Sequence, residues 1–356
     1  MFCKNCGSQM EEGTKFCGNC GANVAMDSAA QQKNQNITEP VQTAPPPPST
    51  GQIYTQQNSA PPPKKNNTVI IAVVIVGVAF LGLMVFLNSR NTQQNPKISN
   101  TSQQSVETLL ASGQQYFENG DYDNALKAFT EAIRLDSKNA DGFAWRGDTY
   151  RTKGQYDQAI SDYTETIRLN PNYAGAYTFR GDSYRQKGQY DQAISDLNES
   201  IRFDPNYAFT YASRGDVYQM KEQYDQAISD YNEAIRLNPN YSYAYAMRGD
   251  AYFMIGQDDQ AISDYNESIK LDPNYAHVYA YRGDTYLLKG QYDQAISDYN
   301  EAIRLNPNYA YAYAWRGEAY FAKGQRNQAI QDFEKALSLN PNNERARARL
   351  QEIRGY

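Results

Sequence analysis

From residue 106 to residue 343 the chain repeats itself every 34 residues, seven times in succession, and this period restricts the possible fold more than any other feature. The units are 106–139, 140–173, 174–207, 208–241, 242–275, 276–309 and 310–343. A unit this short cannot bury an apolar face alone, so such units stack and share a continuous core. Position 8 of every unit is glycine, from Gly113 to Gly317, position 20 is alanine, from Ala125 to Ala329, and position 11 is tyrosine, from Tyr116 to Tyr320. Glycine inside a helix costs about 1 kcal/mol, so its recurrence requires a packing reason. Small residues facing each other, with the position 11 tyrosine wedged beside them, would let two helices approach closely. Position 18 is always Asp or Asn, as in Asp157, Asp293 and Asn327, and is expected to N-cap the second helix of the unit. Position 15 is glycine except at Glu222, and position 32 is proline except at Ser137, which ends the first helix at a glycine and follows the second with a proline.

The pattern aromatic-X2-Arg-Gly-X2-Tyr, then Ala-X3-aromatic, then Pro resembles the tetratricopeptide repeat over two-thirds of the chain. The resemblance implies an all-α solenoid of helix-turn-helix units, wound into a right-handed superhelix whose concave face, lined by the first helix of each unit, binds peptides. This chain departs from the family pattern at position 7, where six units carry arginine instead of leucine. The first unit, with Leu109, Ser112 and Ser137, diverges most and reads as an N-terminal cap. Residues 344–356 continue as a helix whose Ala346, Leu350 and Ile353 share one face and would cap the last repeat.

Two sets of charged residues follow the period. The six arginines at position 7 each come with an aspartate at position 23, giving Arg146 with Asp162, Arg180 with Asp196, Arg214 with Asp230, Arg248 with Asp264, Arg282 with Asp298 and Arg316 with Asp332. A partly buried ion pair within each unit is expected, since position 9 points elsewhere on the helix. Positions 2, 5, 9, 12 and 13 share the face opposite positions 4, 8 and 11. Position 9 there carries Asp148, Asp182, Asp216, Asp250, Asp284 and Glu318, a ladder of carboxylates along the groove. Its bland reading is a solvated face kept soluble by acids. Its functional reading is a wall that attracts basic segments. Carboxylate-clamp repeats, which hold acidic tails, need Lys and Asn there, so that ligand class is disfavoured. Phe253, Leu287 and Phe321, with Met254 and Leu288, make the later units greasier than the early ones, which carry Arg151 and Arg185. His277 at position 2 is expected to be exposed and incidental.

The remaining chain is of a different kind. Cys3, Cys6, Cys17 and Cys20 form two Cys-X2-Cys turns within residues 1–23, and Phe-Cys-X-Asn-Cys-Gly occurs in both. Four thiolates at this spacing make a closed tetrahedral site for one structural Zn2+. Two disulfides or a redox Cys-X-X-Cys are the alternatives, and the redox motif lacks its βαβ context. The segment resembles the short zinc ribbons at the N-termini of bacterial membrane proteins. Residues 24–67 are a Pro/Gln-rich linker, a spacer or less readily an SH3-type ligand. Residues 68–87 hold no charge and fourteen Val, Ile, Leu or Phe, enough for a single transmembrane helix worth about -4 to -8 kcal/mol on insertion. Residues 88–105 read as a second polar tether. Flanking lysines and arginines balance across the span. A zinc-thiolate site persists best in a reducing compartment, and no cysteine follows Cys20, so the N-terminus is placed in the cytoplasm and the repeats outside it.

One histidine in 356 residues makes a Ser-His-Asp triad or a multi-histidine metal centre impracticable, which disfavours an enzyme. Residues 1–105 carry 7 Lys plus Arg against 4 Asp plus Glu, whereas residues 106–356 carry 27 against 36, a poor balance for nucleic acid. The expected function is a membrane-anchored protein–protein interaction scaffold whose groove takes a peptide with basic and apolar residues. The alternative has the repeats facing the cytoplasm, with the ribbon recruiting a regulatory partner or nucleic acid.

Overall fold

The computed structural model describes residues 97–355, all of whose regular structure is α-helical. The cysteine-rich segment, the linker and the expected membrane span lie outside the described residues. The described chain falls into two compact units, 97–205 and 206–355. The first holds α1 (Lys97–Glu118), α2 (Tyr122–Leu135), α3 (Ala140–Thr152), α4 (Tyr156–Leu169), α5 (Ala174–Gln186) and α6 (Tyr190–Phe203). The second holds α7 (Ala208–Met220), α8 (Tyr224–Leu237), α9 (Ser242–Met254), α10 (Asp258–Leu271), α11 (Ala276–Leu288), α12 (Tyr292–Leu305), α13 (Ala310–Ala322), α14 (Arg326–Leu339) and α15 (Glu344–Arg354). Within each, the first helix of a repeat packs along the second helix of the same repeat, and that helix packs on the first helix of the next, so each unit is a helical solenoid.

Local chemistry sets the corners. After α3 the Gly154 N–H donates to the Arg151 carbonyl at 2.9 Å and the Gln155 N–H to the Tyr150 carbonyl at 2.8 Å, with Gly154 at φ 72°. Left-handed backbone of this kind favours glycine at position 15. Glu222 occupies the same conformation, at φ 59°, with a Cβ that the conformation disfavours. At the other corner Asn170 is extended before Pro171, a conformation the proline ring favours in the residue preceding it and Asp136 shares before Ser137.

The position 8 glycines are where the helices of one repeat touch. A Cβ on Gly215 would lie 2.7 Å from the Tyr231 ring, and one on Gly283 would lie 2.9 Å from the Tyr299 ring. The ring over the glycine therefore comes from position 24 of the second helix, not from position 11 as the sequence suggested. The position 11 tyrosines sit at the margin instead, and Tyr116 is exposed. The position 20 alanines, from Ala125 to Ala329, are fully buried.

Two further expectations are corrected. Second helices from α4 to α14 are capped at position 16 by glutamines that make no side-chain cap bond, and the N-cap of α2 is Asp121. The position 18 aspartates lie inside the first turn, where the helix dipole favours acids, and Asp123, Asp157, Asp259 and Asp293 pair with the position 14 lysine one repeat on, as Lys289 does with Asp259 at 2.9 Å. And α1 begins at Lys97, within the stretch read as a tether up to residue 105: extending an existing helix costs far less than nucleating one, so polar Ser, Thr and Gln suffice there. The helix expected after residue 343 is α15, with Ala346, Leu350 and Ile353 buried against Phe333 and Ala336.

Candidate functional site: the position 9 face

The position 7 arginines are committed to packing between helices. Arg146 reaches Asp162 through Nε and Nη2, both at 2.8 Å, and the same two-pronged bond joins Arg180 to Asp196, Arg214 to Asp230, Arg248 to Asp264, Arg282 to Asp298 and Arg316 to Asp332. Each aspartate is buried, at 5–7% exposure, and the planar guanidinium matches both oxygens at once. Sequence reasoning missed the third contact. Nη1 donates to the position 25 side chain of the preceding repeat, as from Arg282 to Asn266 at 2.5 Å and from Arg316 to Asn300 at 2.6 Å. The guanidinium also lies over the position 4 ring, 5.4 Å from Tyr245 in the case of Arg248. Position 7 thus fastens three helices and takes no part in a ligand face.

The position 9 carboxylates do not form the open acidic wall that their spacing suggested. In residues 97–205, Asp148 is buried and accepts from the Tyr163 hydroxyl at 2.6 Å; Asp182 is buried and accepts from Arg185 at 2.7 Å and Arg151 at 3.4 Å. Arg151 in turn lies 4.8 Å over the Phe179 ring. In residues 206–355, Asp216 accepts from Tyr231 at 2.9 Å and Tyr243 at 2.8 Å, and Asp284 from Tyr299 and Tyr311, both at 2.7 Å. Glu318 accepts from Arg349 at 2.9 Å and Arg345 at 3.4 Å. Asp250 receives the side-chain amide of Gln219. The geometric cause is regular. Position 9 sits between position 24 of its own repeat and position 2 of the next, and where both are tyrosine both carboxylate oxygens are occupied.

Burial shapes the charge as well. It pushes Asp148 and Asp250 up to about 6, against the pull of Arg151 and Tyr163 on the first and of Gln219 on the second. It pushes Asp284 up to about 7, against its two tyrosine donors. At neutral pH the face is therefore less negative than a count of aspartates implies.

Position 5, grouped with the groove by helical spacing, is core: Ala212, Ala246, Ala280 and Ala314 are at most 1% exposed. Phe253 and Leu287 are half-buried against hydrophobic clusters that neighbouring repeats share, and Leu288 is 47% exposed. Phe321 is half-buried beneath Arg349, whose guanidinium is 5.2 Å from the ring. His277 is half-buried rather than exposed, its ring 4.9 Å from that of Tyr309, and burial lowers its pKa. Among the described residues no group of His, Cys, Asp and Glu could hold a metal ion, and no helix is long and apolar enough to cross a membrane.

A fold of stacked helical pairs with arginine-fastened repeats and a polar, tyrosine-rich face defines a repeat scaffold, and comparison with known proteins gives its family. Models described as TPR repeat match residues 113–152, 181–222, 249–290 and 283–324, and models described as tetratricopeptide repeat match 140–173, 208–241, 230–263 and 310–343. The chain belongs to the tetratricopeptide repeat family. A zinc-ribbon domain matches residues 2–24. Among solved structures, the chain is similar to a tetratricopeptide repeat protein from Parabacteroides merdae, at 23% identity and TM-score 0.55 over 71% of this chain and 100% of that one. It is similar to the C-terminal part of a TPR repeat-containing protein from Cytophaga hutchinsonii, at 19% identity and TM-score 0.51 over 67% and 97%. It is also similar to Pseudomonas aeruginosa pilF, at 17% identity and TM-score 0.55 over 60% and 97%. At these identities the likeness is one of fold. A comparison with curated proteins returns no match.

Proposed function

We propose that the protein is a membrane-anchored, non-catalytic scaffold whose repeats bind an extended segment of a partner protein. The segment carries Lys or Arg beside apolar residues. The observation that carries this reading is the face of residues 206–355, where the half-buried Phe253 stands one turn from Asp250, and Leu287 and the exposed Leu288 add apolar surface. Apolar contacts there supply affinity, and the Asp250 carboxylate sets orientation and partner choice. Residues 68–87 anchor the chain, and the imbalance of cysteines places the N-terminus in the cytoplasm and the repeats beyond the membrane. Cys3, Cys6, Cys17 and Cys20 supply a donor set suited to one zinc ion; when bound, the metal is structural, since four thiolates leave it no open position. The match of residues 2–24 to a zinc-ribbon domain supports this assignment.

The test of binding is selection from a display library of random peptides on the full-length protein. Enrichment of segments with basic and apolar residues is expected; enrichment of acidic segments, or of none, overturns the reading. Protease treatment of intact cells tests the topology: cleavage in the repeats, with the N-terminal segment protected, is the expected pattern.

A further inference from the structure

Within residues 206–355 the position 9 acids are not equivalent, and the difference lies in which donors surround them. Asp216 and Asp284 each have both oxygens occupied by tyrosine hydroxyls, one from position 24 and one from position 2 of the following repeat. At Asp250 both donors fail. Tyr265, the position 24 residue, packs its ring on Gly249 as its counterparts do on theirs, yet its hydroxyl is buried without a hydrogen-bond partner. The position 2 residue is His277, which turns its ring against Tyr309 and Tyr275 and makes no hydrogen bond to Asp250. The carboxylate has the Gln219 amide alone, and that bond uses Oδ2.

The chain itself shows what this arrangement accepts. Two repeats further on, Glu318 and Phe321 occupy the same positions, 9 and 12, as Asp250 and Phe253. There Arg349 of α15 places its guanidinium on the Glu318 carboxylate, at 2.9 and 3.0 Å, and 5.2 Å from the centre of the Phe321 ring. A guanidinium between a buried carboxylate and an aromatic face satisfies the acid and keeps its own apolar plane covered. Asp284 lacks both conditions, having its oxygens taken and Leu287 at position 12.

We propose that Asp250 and Phe253 form the subsite for an arginine side chain of the bound partner segment, with Asp250 Oδ1, which Tyr265 leaves without a donor, accepting its N–H groups and Phe253 covering its plane. The proposal rests on the peptide-binding reading and narrows it to one residue type at one repeat. Burial holds the free carboxylate up to about 6, and the arriving cation offsets that penalty by pairing with the ionised form.

The test starts from the peptides selected on the full-length protein. Each is resynthesised with citrulline, the neutral isostere, in place of every arginine in turn, and affinity is measured against the wild type, Asp250→Asn, Phe253→Leu and Asp284→Asn, each shown by circular dichroism to keep its helix content. One citrulline replacement and Asp250→Asn are each expected to weaken binding by at least about tenfold, with the two losses far from additive because they remove one pair. Phe253→Leu is expected to weaken binding several-fold, and Asp284→Asn to leave it within twofold. Selected peptides without arginine, additive losses, or a loss with Asp284→Asn equal to that with Asp250→Asn overturn the subsite while leaving the groove intact. If no peptide is selected at all, the groove reading fails and the subsite with it.

Discussion

At the scale of single residues, the arginine at position 7 explains why these repeats tolerate so polar an interior. Arg282 joins Asp298 on its own second helix to Asn266 on the previous one, so a single side chain ties successive repeats together. Replacing it by alanine strands a buried carboxylate, and Arg282→Ala is expected to cost about 1–3 kcal/mol in urea unfolding. Asn266→Ala, which removes only the exposed prong, is expected to cost less than about 1 kcal/mol. Arg282→Lys is expected to resemble the alanine variant more than the wild type, since an ammonium cannot reproduce the fork. Equal stability of Arg282→Ala and wild type would show that the pair contributes nothing.

Among elements, the turn between α7 and α8 is the one that departs from the pattern of its neighbours. Glu222 is exposed and holds left-handed backbone at φ 59°, where Gly154, Gly256, Gly290 and Gly324 sit in other repeats. Glu222→Gly is expected to raise stability by about 1 kcal/mol, read as a higher unfolding midpoint at unchanged denaturant slope, because relief of the Cβ clash exceeds the added freedom of the unfolded chain. This turn was legible in the sequence, as were the helices, since glycine, proline and apolar spacing are local signals. The ring over Gly283 and the donors to Asp284 were not, because they depend on which residue of another helix arrives at a given height. Helical spacing places position 9 on a face but does not say that Tyr299 and Tyr311 reach it. The pairing of position 7 with position 23 was readable only because Ser112 and Ala128 change together in the one unit that lacks both charges.

For the whole molecule, the buried acids imply a dependence on pH that a surface count would miss. Asp284 at about 7, and Asp250 and Asp148 at about 6, bind their protons more tightly folded than unfolded, where an aspartate titrates near 3.9. Groups raised in this way contribute stability that is complete below about pH 4 and is lost as pH rises through 6–7. Glu233 and Glu301, lowered by hydrogen bonds from Arg236 and Arg304, act in the opposite sense only at more acid pH, and His277, lowered by burial, does so up to its unfolded value near 6.5. Between pH 6.5 and pH 8, where only the raised aspartates still titrate, the melting temperature should therefore fall by about a degree or two, and Asp284→Asn should flatten that slope. A melting temperature that rises over this interval would contradict the assignment of these carboxylates as buried and weakly compensated. The most direct test of the scaffold reading is a competition on the full-length protein between two versions of one selected apolar peptide, carrying arginine or glutamate at the same place. The account predicts that the arginine peptide wins, that its association slows as salt is raised, and that Phe253→Ala mainly speeds its dissociation. A glutamate peptide that binds as well or better, or binding indifferent to Phe253→Ala, would contradict it.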